Sequence, residues 1–224
     1  MDREATEALF AAVAPDVVVH TAYSMTDRSA IVDATEHVAT GCRATGAAMV
    51  HLSSDTVFSG DDPPYVETDP PRPITDYGRW KAEAESIALS LVPDGCITRT
   101  SLLVSLDPLD AATAWLVDAV GAGERPALFS DEWRSPLRAA DLAESLWALV
   151  AMSRTDRAGV WHLPGPEVLS RWQIAARVAE ALGLGALHEV ARPGSIADHP
   201  TPRCADLTLR SDRHRPGPEP GPVP

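Results

Sequence analysis

At 224 residues, 45% of them hydrophobic, the chain is long enough for one core of ordinary size or a core plus a small lobe. A formal net charge of −13 leaves no basic stripe to displace counterions, which excludes nucleic acid and anionic membranes as expected partners; a phosphorylated small molecule held by local arginines or a helix N-terminus stays open. Cys42, Cys96 and Cys204 lie far apart and the seven histidines are scattered, so no metal site and a reducing compartment are expected, and the acidic start Met1-Asp2-Arg3-Glu4 reads as neither signal peptide nor anchor, which points to the cytoplasm.

Along the chain, Ala5, Leu9, Phe10 and Val13 recur at helical spacing and predict a helix over 3–13. Asp16 to His20 is a short, continuously apolar strand of the kind buried on both faces of a parallel sheet. A helix over 29–46 and a second buried strand over 48–52 follow. The proline- and acid-rich stretch 60–74 reads as a surface loop, 76–91 as a helix and Cys96 to Thr100 as a third strand. In the second half, a helix near 110–120, a short strand at 126–129, a helix over 139–152 and a strand over 159–163 are expected. Ser170 and Gln173 have the spacing of a capping box for a helix reaching about 182, and Leu187 to Val190 reads as a last short strand. Gly121-Ala122-Gly123 reads as a helix-ending turn. From about 212 the chain is Pro, Gly and charge, which predicts a disordered tail.

This alternation predicts an α/β fold: a parallel sheet with helices on both faces, over residues 1–105, and a smaller lobe interleaved with it over 106–211. Ligands of such sheets sit beyond the carboxyl ends of the strands. Those ends are Thr21-Ala22-Tyr23, Ser53-Ser54 and Thr100-Ser101, small or hydroxylated clusters that admit a ligand and can donate to it.

Lys81 is the only lysine; every other positive side chain is Arg. It follows Tyr77 by four residues, so on a helix both share one face. An ammonium is a compact point charge that can sit beside a phenol and tune it, which a forked guanidinium does less well.

Several segments extend that pair. Pro15-Asp16-Val17-Val18-Val19-His20-Thr21-Ala22-Tyr23 forms a strand and turn, and Val50-His51-Leu52-Ser53-Ser54-Asp55-Thr56-Val57-Phe58-Ser59-Gly60 a second. Pro64-Tyr65-Val66-Glu67-Thr68-Asp69 leads to Tyr77-Gly78-Arg79-Trp80-Lys81; then come Arg99-Thr100-Ser101, Arg134-Ser135-Pro136, Asp141-Leu142-Ala143 and Trp161-His162-Leu163-Pro164-Gly165-Pro166. In this order the chain, over about residues 3–210, resembles the extended short-chain dehydrogenase/reductases, and within them the dTDP-4-dehydrorhamnose reductase group.

The resemblance implies a Rossmann-like sheet and a small C-terminal substrate-binding lobe. It implies Tyr77 as the proton donor to a substrate carbonyl, Lys81 as the group that tunes Tyr77 and holds the nicotinamide ribose, and Ser54 as the donor that orients the carbonyl. Thr21, Ala22, Tyr23, Ser53, Thr100 and Ser101 would line NADP or NAD, with NADPH ahead. Asp55, Thr56, Leu102 and Arg134 would face a nucleotide sugar, although Arg134 by itself reads as a surface residue beside a packing Trp133. His20 and His51 read as structural.

The family's Gly-rich strand–turn–helix unit has no counterpart in these residues. The expectation is therefore a truncated sheet, doubtful dinucleotide binding by these residues alone, and an exposed Val17-Val18-Val19 edge covered by an upstream segment, a homodimer or another partner. Thr56, Ser59 and Leu102 depart from the residues usual in the rhamnose enzymes, which leaves the sugar open. Three functions stay open: a reductase of a nucleotide-linked 4-keto-6-deoxy sugar, an epimerase or dehydratase of the same superfamily, and a non-catalytic sugar-nucleotide- or dinucleotide-binding subunit, for which the regulatory subunit of methionine adenosyltransferase is a precedent.

Overall fold

The computed structural model describes residues 2–224. Helix α1 (Arg3–Val13) starts on Asp2, whose carboxylate accepts from the Glu4 N–H, and stops at Ala14 in the left-handed region. Strand β1 (Val17–His20), helix α2 (Val32–Thr45), strand β2 (Ala48–Ser54), helix α3 (Asp76–Leu91) and strand β3 (Cys96–Thr100) complete the first half. Next come β4 (Leu103–Val104), α4 (Ala111–Gly121), β5 (Ala127–Phe129), β6 (Trp133–Arg134), β7 (Leu137–Arg138), α5 (Ala139–Ala151) and the single turn α6 (Arg154–Arg157). The chain then runs through β8 (Gly159–Leu163), β9 (Leu169–Ser170), α7 (Arg171–Ala181), the single turn α8 (Leu187–Val190) and β10 (Arg192–Gly194).

The central sheet has the order β1-β2-β3-β8, with every neighbouring pair parallel. Its last strand comes from the second half of the chain, so the lobe is interleaved with the sheet. Both faces are covered. On one, Phe10, Val38, Cys42, Ala88 and Val92 of α1, α2 and the end of α3 pack on Met49 and Ile97. On the other, Leu142, Leu146 and Leu149 of α5 pack on Val50, Cys96, Trp161 and Leu163. The close seat of α1 on α2 depends on Gly41, where a Cβ would lie 2.7 Å from the Phe10 ring. The doubly covered sheet is what its near-continuous apolar strands require.

Strand β1 takes one edge and, among the described residues, pairs with β2 alone; Val19 on it is 38% exposed. The lobe has its own core of Val104, Leu116, Leu169, Ile174, Val178 and Leu187. Short strand pairs tie it together: β5 with β10, β4 with β7 and β6 with β9. The capping box at Ser170 and Gln173 is present and opens α7.

Two expectations need correction. Leu187 to Val190 forms a helical turn, and the strand that follows is Arg192–Gly194, paired with β5. Four apolar-rich residues fit either period, and here Leu187 is buried in the lobe. Residues 212–224 are packed, not loose. The Arg213 guanidinium lies 3.5 Å from the Trp161 ring centre and donates to the Ala158 and Val160 carbonyls. Arg215 donates to the Pro164 carbonyl, the Gly221 N–H donates to Asp141, and Val223 enters the lobe core. Arginine-to-carbonyl bonds and one apolar anchor fix a segment whose composition reads as solvated.

Candidate active site

Gly78 decides where Tyr77 lies. A Cβ at that position would be 2.1 Å from the Thr56 carbonyl oxygen, so only glycine lets the start of α3 close on the 3-10 turn at Asp55–Val57. Thr75 caps the helix, its hydroxyl accepting from the Gly78 N–H at 3.1 Å. Tyr77, half-buried against Ile31, Val32 and Ala84, is thereby held beside the end of β2. Burial, then the nearby Asp55 carboxylate and Tyr23, push its phenol above the usual tyrosine range, while the Ser54 hydroxyl pulls the other way. Tyr77 therefore carries its proton at neutral pH.

Lys81, one turn further along α3, is only 3% exposed. Its Nζ donates to the Leu52 carbonyl at 3.0 Å and lies 6.0 Å from the centre of the Tyr77 ring. Burial lowers its pKa to about 8, against a smaller upward pull from Glu85. Behind it lie His20 and His51, ring centres 5.3 Å apart, both kept neutral by burial with Lys81 adding to the effect; His20 falls to about 4. His20 Nε2 is 3.1 Å from the Thr35 hydroxyl.

The Ser54 hydroxyl donates to Asp55 Oδ1 at 3.1 Å and accepts from the Thr56 N–H and hydroxyl at 3.2 and 3.0 Å. Asp55 is buried, which raises its pKa, while Arg134, Ser101 and Ser54 stabilise its charge. Ser101 donates to Asp55 Oδ2 at 2.6 Å, and Arg134 Nε is 3.8 Å from the same oxygen. Ser54, Asp55, Thr56, Ser101 and Arg134 thus form one linked group, with Tyr77 beside it. Arg134 is buried, a correction to its reading as a surface residue: its guanidinium lies between Asp55 and the fully buried Glu132.

Of the other candidates, Thr21, Ala22 and Tyr23 are exposed just past β1, with Tyr23 near enough to Tyr77 to raise its phenol. The Ser53 hydroxyl donates to Glu85 at 2.5 Å behind the sheet, and the Thr100 hydroxyl donates to the Leu163 carbonyl at 3.0 Å. Leu102 lines a lobe cavity of about 230 Å³ together with Trp115, Phe129 and Ile174, with Arg171 and Arg203 at its wall. Those two arginines and Arg134 converge on Glu132, at 3.2, 2.6 and 2.9 Å. With Asp55 on the far side of Arg134, the cluster holds two carboxylates for three guanidiniums and so keeps a positive surplus beside an apolar cavity. Sequence reading missed Glu132, Arg171 and Arg203: they meet from separate segments, and no spacing marks them.

The donor set fits the nicotinamide–ribose end of a dinucleotide. A buried ammonium with a single carbonyl partner can donate further to ribose hydroxyls, and a protonated phenol with an adjacent hydroxyl can donate to a carbonyl.

The family profile described as RmlD substrate binding domain matches residues 1–212. The chain belongs to this family. Within the RmlD family, it is 33% identical over 172 residues to a dTDP-4-dehydrorhamnose reductase of Mycobacterium tuberculosis, covering 75% of this chain and 55% of that one. It is 32% identical over 187 residues to methionine adenosyltransferase 2 subunit beta of Bos taurus, covering 79% of this chain and 54% of that one. The chain thus spans about half the length of these curated RmlD-family relatives. In fold, it matches the dTDP-4-dehydrorhamnose reductase of Bacillus anthracis, solved with NADP, with a TM-score of 0.82 at 20% identity over 96% of this chain and 82% of that one. The parallel sheet with helices on both faces is the Rossmann-like arrangement of that RmlD-type neighbour.

Proposed function

We propose that this chain provides the proton-donating and substrate-holding part of an NAD(P)H-dependent reductase of a nucleotide-linked 4-keto-6-deoxy sugar. The observation that carries the reading is the geometry at the end of β2: Lys81 buried with its ammonium 6.0 Å from the Tyr77 ring, and Ser54 at the end of the strand. NADPH or NADH, when bound, would supply the hydride for the carbonyl carbon. Tyr77 gives its proton to the carbonyl oxygen, and the Ser54 hydroxyl orients that oxygen. Lys81 favours the phenolate left behind and holds the ribose. The relative solved with NADP supports NADP as the first choice.

The lobe supports the substrate class. Trp115, Phe129, Leu102 and Ile174 offer an apolar bed for a base, and Arg171 and Arg203 offer guanidiniums for a diphosphate. Arg134 and Asp55 join that end to the carbonyl end. The test is a fluorescence titration of NADPH and NADH against this chain, followed by an assay of cofactor oxidation with a dTDP-4-keto-6-deoxy sugar. Saturable binding and one cofactor oxidised per sugar are expected. A folded, monodisperse chain that binds neither dinucleotide overturns the reading for these residues.

A second reading, a binding subunit without turnover, is supported by the similarity to a methionine adenosyltransferase subunit. The β1 edge would then meet a partner chain or a second copy. Co-purification of a stoichiometric partner, with no cofactor oxidation, would favour it.

A further inference from the structure

Glu85 lies four residues after Lys81 on α3, the spacing at which a carboxylate and an ammonium normally pair. Both are buried, and a buried pair of this kind would be strong. The structure shows a different partner. The Arg99 guanidinium, near the carboxyl end of β3, takes both oxygens of Glu85: Nη2 donates to Oε2 at 2.8 Å, and Nε donates to Oε1 at 3.0 Å. Ser53 on β2 donates to Oε1 at 2.5 Å. Lys81 is left with the Leu52 carbonyl.

We propose that Arg99 and Ser53 are positioning residues for Lys81: by occupying both oxygens of Glu85 they keep that carboxylate from pairing with the ammonium one turn away, so that the charge of Lys81 stays directed at Tyr77 and the ligand. The inference rests on the reading of Lys81 as the ammonium of the site. It explains why a carboxylate so close raises Lys81 too little to offset burial. It also explains an arginine in the interior of a parallel sheet, where an apolar residue would cost less to bury. The groups facing Lys81 are His20 from β1, His51 from β2, and Tyr77 and Glu85 from its own helix; both imidazoles are neutral, so Glu85 is the one anion among them able to quench it.

Because Lys81 is the only lysine, biosynthetic [ε-13C]lysine gives one side-chain resonance whose pH titration reads its protonation directly, without turnover. In Arg99→Met, Glu85 is released to Lys81, and the titration midpoint is expected to rise by about one pH unit. In the double variant Arg99→Met/Glu85→Gln it is expected to return to the wild-type value. A folded Arg99→Met chain with a midpoint within about half a unit of wild type overturns the inference. If Arg99→Met does not fold, Glu85→Gln alone decides: a fall of less than about half a unit supports sequestration, and a larger fall means Glu85 already pairs with Lys81 and overturns it. The shift is read whether or not the chain turns over, so an inactive chain with the expected shift counts against the proposed function and not against this inference.

Discussion

The Lys81 ammonium lies 6.0 Å from the centre of the Tyr77 ring, and the two side chains leave the same face of α3. Removing the phenolic oxygen is therefore the sharpest test of the proposed chemistry. Tyr77→Phe keeps the ring against Ile31, Val32 and Ala84 and deletes only the proton donor. A loss of about 10²–10⁴ in turnover is expected with thermal stability unchanged or slightly higher, since a buried hydroxyl is removed. An unchanged turnover number would sink the role given to Tyr77.

Glu132 holds the lobe's arginines together. It is fully buried and meets Arg134, Arg171 and Arg203 at 2.6–3.2 Å. Replacing it with Gln leaves three neighbouring guanidiniums with only Asp55, beside Arg134, as counter-charge. Urea unfolding should show a loss of about 3–5 kcal/mol, as for a buried pair that loses one partner. Arg203→Met, by contrast, leaves Glu132 paired with Arg134 and Arg171, so it should weaken nucleotide binding and destabilise less than the loss of Glu132. Equal destabilisation by the two variants would contradict this account.

How far the sequence could be read follows from how local each signal is. The Tyr77–Lys81 spacing, the four strands of the central sheet and the Ser170 capping box are carried by neighbouring residues, and the structure has all of them. The Arg99–Glu85 and Glu132–Arg203 pairs join residues from separate elements; they exist only once the strands and the lobe are in register. Leu187 to Val190 was too short for its period to separate strand from helix. The C-terminal segment misled for another reason. Its prolines cannot form regular elements, but its arginines find backbone carbonyls, and Val223 finds a core that no local pattern announces.

That segment yields its own test. Residues 213–224 lie beyond the span matched by the family profile, yet they bridge β8, α5 and the lobe through Arg213, Arg215 and Val223. Deleting them removes one buried valine and a cation–π pair on Trp161. A loss of roughly 2–4 kcal/mol in urea unfolding is expected. Val223→Ala alone should cost about 1–2 kcal/mol. A truncated chain as stable as the full one would show that the segment rests on the surface without contributing.

The buried histidines set an acid limit on stability. His20 is held near pKa 4 by burial, against an ordinary value of 6.5, and Lys81 adds to the lowering. The folded state therefore binds fewer protons than the unfolded state between these values, so stability rises with pH across that window. It is at full strength above about 6.5 and falls progressively as pH drops toward 4. A shift of this size corresponds to roughly 3 kcal/mol lost over the window from His20 alone. His51 and His162, also lowered by burial, add to the same slope. His20→Asn removes the titrating ring, so its unfolding free energy should fall less between pH 7 and pH 4.5 than that of the wild type. Parallel pH profiles for the two proteins would mean that His20 has the same pKa folded as unfolded, and that the lowering by burial is not as described.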